Sequence, residues 1–210
     1  DVLTNDTLNG VAVVPSEVVI TSTPTTELTV NTDGTVDVTP GTPAGEYTID
    51  YTICEILNPS NCDTATVTVT VTAPVIDAVA ETFPSINGYD GGVTTTVLGS
   101  DTLNGVAVDP NDVTITVGAS DPELVLDPVT GLITVAPDTA AGTYTVEYTI
   151  CEDNNPSNCD TVIETVTVTA APIDAVNDTA GPINGLTGGD AGIDVLTNDT
   201  LNGVAVVPSE

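Results

Sequence analysis

The sequence predicts an all-β chain of tandem, antiparallel, seven-stranded β-sandwiches. Three observations predict it: a motif recurring at domain-sized intervals, short runs in which Val and Ile alternate with Thr, and Gly, Pro, Asn and Asp punctuating those runs. The octapeptide DTLNGVAV begins at Asp6, at Asp101 and at Asp199. A second segment, YTICE followed by NPSNCDT, begins at Tyr51 and again at Tyr148. The shift from Asp6 to Asp101 is 95 residues and that from Cys54 to Cys151 is 97. Such a period is too long for a solenoid repeat and suits a sandwich domain.

Residues 1–17 are identical to residues 194–210, whereas the middle copy differs, so two repeat types alternate. The expected organisation is a unit at 1–73 lacking its first strand, a complete unit at 74–171, and the N-terminal part of a third at 172–210. The chain reads as a stretch of a longer array.

Within the complete unit the pattern predicts strand A at 76–82 and B at 94–98, followed by a long acidic loop at 99–112. Strand C follows at 113–117, D at 124–126, E at 132–135 after a turn, F at 143–151 and G at 161–169. Parity separates the faces. In F, Tyr144, Val146, Tyr148 and Ile150 share one side, and Thr145, Glu147, Thr149 and Cys151 the other. In strand G of the first unit, Val67, Val69 and Val71 oppose Thr66, Thr68 and Thr70. The valine face is core and the threonine face meets water. Glu164 breaks this pattern, taking the inward phase where the first unit has Val67.

Composition excludes several functions. Among 210 residues there is no Lys, Arg, His, Met or Trp, against 31 Asp and Glu, for a formal charge of −31. Nucleic acid and anionic lipid both need a basic patch, so neither is an expected partner. Side-chain salt bridges are impossible, and self-repulsion calls for a non-protein cation. The acidity does not imply disorder, because hydrophobic residues make up 40% and alternate regularly. No apolar run is long enough to span a membrane. An enzyme would lack His or Lys to activate a hydroxyl, so no catalytic residues are expected. A two-carboxylate glycosidase or a lectin usually wants aromatic platforms, and only five Tyr and one Phe are present.

The four cysteines form two local pairs, Cys54 with Cys62 and Cys151 with Cys159, each closing the F–G hairpin on its outward face. Cross-strand neighbours suit disulfide geometry. A zinc site shared by two units, with four thiolates, is the rival reading. Disulfides would place the chain in an oxidising, extracellular compartment.

DAVND at Asp174, followed by IDVLTND at Ile193, resembles the signature of bacterial Ig-like and cadherin-like adhesin repeats. AGTYTVEYTI at Ala141 resembles their strand F. The Thr-rich style and short cysteine hairpin resemble giant surface fibres exported by type IX secretion. The resemblance implies a calcium-stiffened stalk in a surface adhesin or filament that associates with copies of itself, with direct binding of a surface ligand as the alternative. Asp-Thr steps also resemble the O-glycosylation motif of that bacterial group, at Thr7, Thr64, Thr102, Thr139, Thr161, Thr179 and Thr200.

Calcium ligands are expected where units meet. With strands alternating in direction, the start of A, the B–C loop and the F–G hairpin share one pole. That pole gathers Asp77, Asp101, Asn104, Glu152, Asp153 and Asp160, with Asp109 and Asp112 nearby. The next joint offers Asp174, Asn177, Asp178 and Asp199. Calcium prefers such oxygens, whereas zinc or copper would not choose them. As a bland alternative, DTLNG is an ordinary Asn-Gly turn.

Overall fold

The computed structural model describes residues 1–207. The first unit contains β1 (Thr7–Leu8), β2 (Val11–Ala12), β3 (Val18–Ser22), β4 (Leu28–Val30), β5 (Val36–Val38), β6 (Gly45–Glu55) and β7 (Cys62–Val71). The next contains β8 (Ile76–Asp77), β9 (Ile86–Asn87), β10 (Gly92–Thr96), β11 (Thr102–Leu103), β12 (Val106–Ala107), β13 (Val113–Ser120), β14 (Leu124–Leu126), β15 (Leu132–Val135), β16 (Gly142–Glu152) and β17 (Asn155–Thr169). Three short strands follow: β18 (Ile173–Asp174), β19 (Thr200–Leu201) and β20 (Val204–Ala205).

Residues 74–171 form two facing sheets, ordered β13-β16-β17-β9 and β10-β15-β14. Strands β16 and β17 pair antiparallel along almost their whole length, with Tyr144 opposite Val166 and Cys151 opposite Cys159. Their inward residues Val146, Tyr148, Ile150, Val166 and Val168 are buried. They pack on Val97, Leu124, Leu126, Ile133 and Val135 from the other sheet. Full burial of each such side chain contributes about 1.5–3 kcal/mol. A separate core in residues 1–73 repeats the arrangement around Leu28, Ile49 and Tyr51.

Strands C to G lie where the alternation predicts them, with C, F and G longer. Strand B is displaced to Gly92–Thr96, and Val97 and Leu98 beyond it are buried. Strand A, expected at 76–82, is corrected: only Ile76–Asp77 is strand, residues 78–85 have no strand structure, and a further short strand, β9, follows at Ile86–Asn87. The cause is local. The amides of Ala78, Val79 and Glu81 donate to the side chains of Asp160, Asp101 and Glu164 rather than to a neighbouring strand. Beyond this crossing, β9 joins the other sheet edge, parallel to β17 at Val168 and Thr169.

The acidic B–C loop is not unstructured. Strands β11 and β12 form a hairpin whose outer partner is β8. Its turn residues Asn104 and Gly105 have φ of 54° and 74°, left-handed values that Asn tolerates and Gly favours. The same turn recurs at Asn9-Gly10 and Asn202-Gly203. DTLNG is therefore a two-residue hairpin turn, used three times.

Candidate functional site: the pole where units meet

The centre of this pole is a buried carboxylate. Asp101 is fully buried and accepts from the Val79 amide at 2.7 Å. The single Tyr148 hydroxyl proton is shared among acceptors within reach: both Asp101 oxygens, at 3.1 and 2.9 Å, and the Val97 carbonyl at 3.0 Å. Burial pushes the Asp101 pKa up, against the pull of these donors, with Glu81 and Asp77 adding repulsion. Burial beside Asp101 likewise raises the Tyr148 hydroxyl. The first unit builds a more open version. The Tyr51 hydroxyl lies 2.8 Å from Asp6 Oδ2 and 3.0 Å from the Val2 carbonyl, its one proton shared between them, and burial pushes its pKa up to about 12.

Glu164 solves the parity anomaly. It is fully buried, and both its oxygens accept the Glu81 amide, at 3.1 and 3.0 Å. Glu81 in turn accepts from the Ser100 amide. Glu164 thus anchors the crossing segment between β8 and β9 to the sandwich. Burial, reinforced by the charges of Glu81 and Asp101, raises its pKa to about 7 despite the Glu81 N–H. The inward phase of an acid in an otherwise valine position was the signal for this residue. Nothing in the sequence named Glu81 as its partner.

The other expected ligands divide between tasks. Asp160 accepts the Ala78 amide at 2.9 Å, and Asp199 accepts the Val176 amide at 2.8 Å, as Asp101 does for Val79. Glu152 is buried and braces the F–G hairpin by accepting from Asn158 at 2.9 Å. Its counterpart Glu55 accepts from Asn58 and Asn61. Asp153 accepts from Thr114 at 2.8 Å. Asp77 and Asp174 sit on the short strands β8 and β18, exposed. Asn104 is exposed at its turn, its amide donating to the Val75 carbonyl at 2.6 Å. Asn177 and Asp178 are exposed.

Calcium asks for roughly six to eight oxygens converging at about 2.3–2.6 Å. Among the described residues, no three Asp, Glu, His or Cys side chains gather into a group that could hold a metal ion. The buried carboxylates accept from the chain's own N–H and O–H groups, where the sequence reading expects them to coordinate calcium. As folded, this donor set does not fit a calcium cage.

The pole also touches neighbouring units. Asn158 donates to the Pro74 carbonyl at the linker, at 2.9 Å, and Asn155 accepts the Ala44 amide of the preceding unit. Both cysteine pairs are bonded, Cys54–Cys62 and Cys151–Cys159, which leaves no thiolates for a shared zinc. Of the candidate glycosylation sites, Thr7, Thr64, Thr161 and Thr179 are exposed, while Thr102, Thr139 and Thr200 are half-buried. Among the described residues, no helix is long and apolar enough to cross a membrane.

Fold and pole together define a tandem antiparallel β-sandwich protein whose polar residues organise backbone and joints. No family model and no curated protein matches the sequence. Solved structures similar to it include human protocadherin-24 EC1-2, at 15% identity and a TM-score of 0.36, covering 73% of this chain and 82% of that one. Mouse cadherin-23 EC22-24 is similar at 14% identity and a TM-score of 0.38, covering 73% of this chain and 53% of that one. The protocadherin γB4 extracellular domain is similar at 14% identity and a TM-score of 0.33, covering 79% and 30%.

Proposed function

We propose that this chain is a spacer: a stretch of stalk or filament in a large secreted bacterial surface adhesin, where it holds other parts at a distance. One observation carries the reading. The first two units close separate hydrophobic cores of similar design, and the short linkers Ala73-Pro74 and Ala171-Pro172 connect successive units. The disulfides support an oxidising, extracellular setting. The resemblance of DAVND and IDVLTND to bacterial adhesin repeats supports the surface role, and the edge strand β7, which among the described residues pairs only with β6, supports packing of copies into a fibre.

X-ray scattering of the 210-residue chain tests the spacer. An elongated particle, with units end to end, is the expected result. A compact particle in which units fold back on one another overturns it. Light scattering across a concentration range tests the fibre, since a strictly monomeric chain at every concentration defeats self-association.

A further inference from the structure

We infer that the Asn-Gly turn of one unit is a key seated in a socket of the preceding unit, and that side-chain hydrogen bonds, not a bridging cation, hold the joint. The inference rests on the spacer reading. The key is Asn202, in the turn between β19 and β20. The socket is Asn87 and Asp90, at the far end of the complete unit. Asn202 Nδ2 donates to both carboxylate oxygens of Asp90, at 2.9 Å each. Its Oδ1 accepts from Asn87 Nδ2 at 2.8 Å. One amide thus spends its donor and its acceptor ends on the neighbouring unit, which fixes its orientation.

Both halves are held in place beforehand. Asn202 has a φ of 53°, and its backbone N–H donates to the Pro172 carbonyl at 2.8 Å. In the socket, Asn87 Oδ1 accepts the Tyr89 amide at 3.0 Å, and the Gly91 amide donates to the Asn87 carbonyl at 2.9 Å. Gly88 ties the socket to its own sandwich through the Thr169 carbonyl and the Thr139 amide, each at 2.9 Å. A Cβ at Gly88 would lie 2.0 Å from the Thr139 carbonyl oxygen, so only glycine fits. An amide donating to a carboxylate makes a charge-assisted bond, and no Lys, Arg or His exists to compete for Asp90.

The key recurs in every copy as Asn9, Asn104 and Asn202. The socket does not. INGYDGG at 86–92 corresponds to INGLTGG at 183–189, which places Thr187 where the complete unit has Asp90. Alternating repeat types therefore alternate a charged and a neutral socket along the array.

The test uses the full chain. Asn202→Asp keeps a residue that tolerates the left-handed turn but sets a carboxylate against Asp90. Residues 199–205 should then tumble independently of the complete unit in ¹⁵N relaxation. Adding Asp90→Asn to Asn202→Asp exchanges donor and acceptor and should restore common tumbling. Asn9→Asp, in the same turn without a socket in this chain, should leave that joint unchanged, as should a chelator added to the unaltered chain. The inference is overturned if Asn202→Asp tumbles like the parent, if the exchange fails to restore it, or if chelator alone frees the turn. Scattering on the same samples keeps the two readings apart. An extended particle with a free turn defeats the key but leaves the spacer, and a collapsed particle defeats the spacer.

Discussion

Asp101 shows how much one carboxylate can organise. It satisfies the Val79 amide and the Tyr148 hydroxyl in a place without water. Removing a buried acceptor strands its donors, at about 1–3 kcal/mol each. The Tyr148 hydroxyl keeps the Val97 carbonyl, so Asp101→Ala strands the Val79 amide and should lower unfolding free energy by about 1–3 kcal/mol in denaturant titration. Asp101→Asn, which keeps an oxygen acceptor, should recover much of the loss. Asp6→Ala should cost less, because that site is only half-buried. Equal losses at Asp6 and Asp101 would contradict the burial argument. Glu164 adds a pH effect. Its folded pKa of about 7 lies above the ordinary glutamate value of 4.5, so the folded state holds the proton more tightly than the unfolded state. Its contribution is full below pH 4.5 and is lost as pH rises through 7, by at most about 3 kcal/mol. Glu164→Gln should flatten the fall in melting temperature between pH 5 and pH 8. A variant with the parent's pH profile would remove Glu164 as the source.

The hairpins between F and G are braced twice, by a disulfide and by a glutamate. Cys54–Cys62 and Cys151–Cys159 each span a sequence separation of 8. Closing a loop of about nine residues is worth roughly 2.5 kcal/mol by chain entropy. Reduction should lower the stability of each unit by about that amount, read by thermal unfolding with and without reductant. Peptide mapping under non-reducing conditions should find both links within their own repeats, and a link between repeats would contradict the fold. Strand A makes the opposite lesson. Residues 76–82 alternate well enough to read as one strand, yet Asp101, Asp160 and Glu164 take their amides and leave only Ile76–Asp77 as strand. That outcome was illegible in the sequence because the acids lie up to 83 positions from the amides they accept.

For the array, the charge of −31 remains uncompensated by any side chain. Raising ionic strength should therefore stabilise it, since the Debye length shrinks from about 8 Å at physiological salt to about 3 Å at 1 M. A chelator at constant ionic strength should change neither melting temperature nor particle length, because Asp101, Asp160 and Asp199 already accept backbone amides and Glu152 and Asp153 accept side-chain donors. A marked fall in either on chelation would reinstate calcium at the joints.

Several features of this protein follow from local chemistry and were legible in the chain. Alternation of Val and Thr sets the faces of β16 and β17, Asn-Gly sets the hairpin turns, and two cysteines on one outward phase set each disulfide. Each depends on neighbours a few residues apart or directly across a hairpin. The identity of the acids was legible too, but their task was not. Free carboxylates at one pole read as a cation site, and only the packed chain shows Asp101, Asp160 and Asp199 accepting amides of the segments that enter the pole. The socket at Asn87 and Asp90 is likewise invisible in sequence, since it lies 112 positions before Asn202 in the case of Asp90. Contacts at such separation form only when segments distant in the chain pack together, and tertiary structure alone decides which polar group finds which.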